Sequence, residues 1–134
     1  MHLNTPASLA LLAGIAVLAL SACGSSAPKA ATSAGSTSST TLRLSADPGG
    51  ALKFDTTKLS AKAGSVTLQM DNPAGSGVPH AIAVSGHGVN QAGQTVQPGG
   101  TSTETLTLKP GTYTFFCPVP GHEAAGMKGT LVVS

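Results

Sequence analysis

The chain of 134 residues carries 9% charged and 3% aromatic residues, with 17 Gly, 9 Pro and no Trp, a composition suited to short strands and frequent turns. Seven basic against five acidic side chains leave a net charge of +2. That charge is too small and too scattered for a nucleic-acid or anionic-membrane footprint, so no nucleic-acid partner is expected.

In chain order, residues 9–20 read LALLAGIAVLAL, twelve apolar or small residues. This is short for a membrane span and right for the core of a signal peptide. Leu20-Ser21-Ala22-Cys23 follows and resembles a bacterial lipobox, whose cysteine is lipidated and becomes the mature N-terminus. Residues 1–22 are then a signal peptide and Cys23 the lipidation site. The leading MHLNTPAS departs from the usual pattern in having no Lys or Arg, which leaves the terminal amine and His2 to supply positive charge. Ordinary cleavage near Ala22 with Cys23 left as a thiol, or an uncleaved anchor, are the alternatives. A lone cysteine ending an export signal in an oxidising compartment favours lipidation over both. Residues 23–40 continue as a Ser/Thr/Ala/Gly tract without the apolar residues needed to fold. A flexible tether with an r.m.s. reach of ~20–25 Å is expected, holding a domain of residues 41–134. The expected location is outside the cytoplasm, lipid-anchored on the outer face of the cytoplasmic membrane or in a periplasm.

Within residues 41–134 apolar side chains alternate, the mark of half-buried strands. Leu42/Leu44, Leu52/Phe54, Val66/Leu68/Met70, His80/Ile82/Val84, Leu106/Leu108, Tyr113/Phe115/Cys117 and Leu131/Val133 each share parity. Asp47-Pro48-Gly49-Gly50, Lys62-Ala63-Gly64, Asp71-Asn72-Pro73, Pro98-Gly99-Gly100 and Lys109-Pro110-Gly111 punctuate them as turns. About seven to eight short strands at this spacing predict an all-β fold, an antiparallel Greek-key sandwich or barrel. Pro110-Gly111-Thr112-Tyr113 has the form of a tyrosine corner.

Parity also aims chemistry. His80 shares a face with Ile82 and Val84, and Cys117 with Tyr113 and Phe115, so both side chains are expected to point inward at strand ends. After Cys117, four residues lead to His122 and four more to Met127, in a loop stiffened by Pro118 and Pro120 and turned by Gly121 and Gly126. A thiolate and a thioether are soft ligands and imidazole is borderline. Two His, one Cys and a weak Met form the donor set of a blue-copper centre, whereas zinc has little use for a thioether. Separately, Cys117 reads as a small buried hydrophobe, His80 as a core histidine and Met127 as a gap-filler; their joint spacing is what selects copper. Met70 shares the parity of core residues, and His87 sits in a glycine-flanked, solvated turn.

Val78-Pro79-His80 together with Phe116-Cys117-Pro118-Val119-Pro120-Gly121-His122-Glu123-Ala124-Ala125-Gly126-Met127-Lys128-Gly129 resembles a cupredoxin of the plastocyanin/azurin family. The C-x4-H-x4-M spacing is closest to auracyanin-like proteins. The resemblance implies one copper ion cycling between Cu(I) and Cu(II), with His80, Cys117 and His122 as equatorial ligands and Met127 as the axial one. It also implies that His122 presents its ring edge to redox protein partners within an apolar patch of Val78, Pro79, Val119, Pro120, Ala124 and Ala125, and that the residue at Phe116, beside the ligand cysteine, can serve as a second electron route, although surface packing is the role expected of Phe116 here. Family members often carry Asn just after the first histidine, tying the two ligand loops. Here that residue is Ala81, so the tie is expected to be missing, with the Ala81 and Val119 N–H groups left as possible donors to the Cys117 sulfur.

The function expected is therefore single-electron transfer by a membrane-tethered monomer. The competing class is a copper protein for storage, delivery or sensing, which usually offers exposed Met- or His-rich ligands that this chain lacks. An enzyme is not expected. After cleavage only His80, His87 and His122 remain, and one spare histidine cannot build the second copper site that an oxidase or nitrite reductase needs.

Overall fold

The computed structural model describes residues 38–134. The signal segment, Cys23 and nearly all of the expected tether lie outside the described residues. Among the described residues there are eight strands and one short 3-10 turn: β1 (Ser39–Ser45), β2 (Lys58–Ala61), β3 (Gly64–Asp71), the turn Ala74–Ser76, β4 (Ala83–Gly86), β5 (Val89–Ala92), β6 (Thr101–Leu108), β7 (Gly111–Phe116) and β8 (Lys128–Val133). They form a three-stranded sheet in the order β1-β3-β6 and a five-stranded sheet in the order β2-β8-β7-β4-β5. β1 opens at Ser39, so Ser39 and Thr40 belong to a strand.

Alternation explains the core between the sheets. Val66, Leu68 and Met70 of β3, Leu106 and Leu108 of β6, Tyr113 and Phe115 of β7, and Leu131 and Val133 of β8 all face inward and are buried in one cluster. Turn chemistry holds as well. Asp47 accepts hydrogen bonds from the N–H groups of Gly49 and Ala51, which keep its carboxyl below the usual carboxylate range. The Tyr113 hydroxyl donates to the Lys109 carbonyl at 3.0 Å, closing the tyrosine corner.

The structure corrects three details. Two ladders run parallel, β1 with β3 and β2 with β8, where antiparallel pairing was expected throughout. The cause is residues 46–63, which leave β1, form β2 in the other sheet and return, so that β3 runs alongside β1 in the same direction. Leu52 and Phe54 form no strand; Phe54 makes a single bridge to Ala46 and packs its ring on Phe115, centroids 5.7 Å apart. His80 lies ahead of β4 and makes a single bridge to Val96. Residues 81–84 that follow are all buried, because the segment runs through the interior with both faces covered.

Strand direction sets two poles. β3 and β7 end, and β4 and β8 begin, at the pole holding His80 and Cys117. At the other pole Ser39 lies beside Ser65, while Ser134 exchanges hydrogen bonds with Ala61 and Ala63.

Candidate metal centre

His80 arrives from Val78 and Pro79 with its backbone fixed on both sides. Its N–H donates to the Val96 carbonyl at 3.1 Å, and the Val96 N–H donates back at 2.8 Å. Sequence reading missed Val96, whose surroundings are Gln, Thr and Pro with no strand pattern. Burial pushes the His80 imidazole below its ordinary pKa range, and the neighbouring His122 adds to the effect. The neutral ring, with a free lone pair, is therefore the favoured form.

Cys117 stands one residue beyond β7, on the inward face shared by Tyr113 and Phe115, as a fully buried free thiol. Residues 118–127 then fold into tight turns. His122 N–H donates to Val119 C=O, Ala125 N–H to Gly121 C=O, Gly126 N–H to Glu123 C=O and Met127 N–H to His122 C=O, each at 3.0 Å. Cys117 N–H donates to Met127 C=O, also at 3.0 Å, joining the two ends of the loop. Gly121 and Gly126 take φ of 86° and 106°, backbone angles that residues with a Cβ resist.

These two segments bring three donor atoms together. Nδ1 of His80 and Nδ1 of His122 are 3.2 Å apart. Cys117 Sγ lies 3.8 Å from the former and 3.5 Å from the latter. A point equidistant from all three is about 2.0 Å from each, the length of a first-row metal bond to imidazole nitrogen (~2.0–2.1 Å) and a little inside that to thiolate (~2.3 Å). The donors thus fit one soft or borderline cation, and no carboxylate joins the cluster among the described residues. Met127 is fully buried and its backbone bridges the other two members of the loop. His122 alone of the four is half-buried, so it reaches the surface.

The N–H groups of Ala81 and Val119 do not bond the Cys117 sulfur. Among the described residues its only hydrogen-bonding neighbours are the two imidazole nitrogens. His87 is exposed, as read from its turn, and rests edge-on against Tyr113, centroids 5.1 Å apart. Phe116 is half-buried in the wall of an open groove with Pro118, Pro120 and Ala83.

Residues 40–134 match the family of copper binding proteins, plastocyanin/azurin family, and the chain belongs to that family. It is a cupredoxin, and its cofactor is one copper ion at a type 1 site. Auracyanin B is similar at 31% identity and a TM-score of 0.63, over 71% of this chain and 88% of that one. Auracyanin from the photosynthetic bacterium Roseiflexus castenholzii is similar at 25% identity and a TM-score of 0.62, over 73% and 98%. Auracyanin A, a "blue" copper protein of Chloroflexus aurantiacus, shares the fold at 23% identity and a TM-score of 0.61, over 72% and 100%. No curated protein matches the chain.

Proposed function

We propose that this protein carries single electrons while held at a membrane by lipid on Cys23, and that His80, Cys117 and His122 hold the copper with Met127 as the axial ligand. The observation that carries the reading is the convergence of three donor atoms in a triangle sized for one metal ion. Copper, when bound, supplies a one-electron couple whose potential depends on the axial donor and the dryness around it.

The protein's own residues do the rest. Burial of His80, Cys117 and Met127 excludes water, and burial of the neutral His80 ring favours the lone-pair form. Reciprocal bonds between His80 and Val96, and the turn bonds of residues 117–127, hold the donors so that little movement accompanies a change of charge. His122 is half-buried and reaches the surface, and by the family likeness its ring edge would sit in an apolar patch of Val78, Pro79, Val119, Pro120, Ala124 and Ala125, suited to redox proteins that dock briefly. Buried ligands also separate this reading from copper delivery, which needs ligands that a recipient can reach.

Addition of Cu(II) to the soluble domain tests the reading: an intense blue or green thiolate-to-copper band is expected, and a colourless protein overturns it. Met127 is tested by two replacements. Met127→Gln is expected to lower the reduction potential, since an amide oxygen stabilises Cu(II), and Met127→Leu to raise it by removing the donor. Shifts on the order of 60 mV, a tenfold change in a one-electron equilibrium, are expected in voltammetry. Two variants with the parent's potential would reduce Met127 to packing. Anchoring is tested separately: Cys23→Ala should move the protein from the membrane to the soluble fraction, and unchanged retention would reject lipidation.

A further inference from the structure

Residue 81, beside His80, is a buried alanine with no polar side chain to reach the Cys117 loop, and the His80 segment is held from elsewhere. Asn72, the residue after β3, is 1% exposed. Its side-chain Nδ2 donates to the carbonyl of Val78 at 3.0 Å and to that of Val96 at 3.1 Å. The Ser76 hydroxyl donates to its Oδ1, which fixes the orientation of the amide and leaves both N–H bonds for the carbonyls. Its backbone is also engaged, the N–H with Gly100 C=O and the C=O with Gly99 N–H.

We infer that Asn72 is the positioning residue for His80, replacing the missing tie between ligand loops by one between the His80 segment and the loop before β6. The Val96 carbonyl accepts from two donors at once, Asn72 Nδ2 and His80 N–H. The Val78 carbonyl, two residues before His80, accepts from Asn72 Nδ2. One buried amide therefore pins the chain before His80 and the carbonyl that receives His80 itself. Residues 117–127 are held differently, by bonds among their own backbone groups. Removing Asn72 should free one ligand out of four, because the remaining bonds of Cys117, His122 and Met127 do not pass through it. Truncation also takes one donor from each of two half-buried carbonyls, leaving Val96 C=O with the His80 N–H alone.

The inference rests on the proposed ligand set, and its test keeps the two separable. Amide hydrogen exchange in the metal-free protein needs no copper. Asn72→Ala should speed exchange at His80 and Val96 by about tenfold or more while leaving the amides of Cys117 and Met127 unchanged. Ser76→Ala, which removes only the orienting hydroxyl, should give the same pattern more weakly and serves if Asn72→Ala does not fold. Val133→Ala, remote at the opposite pole, is the control for general destabilisation and should not alter the ratio of His80 to Cys117 exchange. In the copper-loaded protein, Asn72→Ala should alter the electron paramagnetic resonance signature and the potential, and Val133→Ala should not. Uniform acceleration at all four amides, or none, overturns the positioning role. Selective acceleration at His80 with unchanged copper spectra would keep Asn72 as the tether of residue 80 and instead overturn His80 as a ligand.

Discussion

Cys117→Ser is expected to remove the thiolate-to-copper band completely and to leave a folded domain. The band belongs to the sulfur, and a serine hydroxyl stays protonated near neutral pH and has no comparable orbital to offer. The fold survives because Cys117 ties its loop through the backbone, N–H to Met127 C=O, a bond that serine keeps. The new hydroxyl is buried, yet the Nδ1 atoms of His80 and His122, 3.8 and 3.5 Å from the present sulfur, stand ready to pair with it. Visible absorption and far-ultraviolet circular dichroism on the same sample read both halves of the expectation. Colour that persists would place the metal on other ligands.

Phe115→Ala is expected to cost about 3–5 kcal/mol, the range for deleting a buried aromatic side chain. Small domains have a total stability of about 5–15 kcal/mol, so the variant should lose a third or more of its stability in most of that range. Phe115 is fully buried, at the centre of the inward face of β7, and contacts Phe54. β8 has adapted to it: a Cβ on Gly129 would lie 2.3 Å from Phe115 Cζ, so the strand can pass over the ring only as glycine. The loss also reaches the site, since Cys117 follows two residues later on the same face. Denaturant unfolding at constant slope measures the change, and a loss below about 1 kcal/mol would show that the core closes over the gap.

Three of the candidate donors, Cys117, His122 and Met127, were legible because each side-chain type carries its own chemistry and their spacing lies within one loop, whereas His80, far earlier in the chain, was marked only by its parity with Ile82 and Val84. The central strands were legible because Val66/Leu68/Met70 and Tyr113/Phe115 put a water-avoiding side chain at every second position. Two strands were not. β2 reads Lys-Leu-Ser-Ala and β5 reads Val-Asn-Gln-Ala; both lie at edges of the five-stranded sheet, where half the surface faces water and the pattern fades. Ser39 and Thr40 of β1 have the composition of the tract before them, so nothing local marks the start of the strand. Parallel pairing depends on how residues 46–63 cross the molecule, and alternation is blind to strand direction. Asn72 read as a turn residue beside Pro73 for the same reason: its partners, Val78 and Val96, offer backbone carbonyls that have no signature in sequence.

Both ends of the folded domain, Ser39 with Ser65 and Ser134 with Ala61 and Ala63, meet at the pole opposite His80. An electrode or bead grafted through either terminus would therefore present the pole of His80 and His122 outward, towards solution. Spacers or reporter proteins fused at both ends would stay away from the pole of His80 and Cys117, and on the proposed function exchange with a dissolved mediator should continue in the immobilised form.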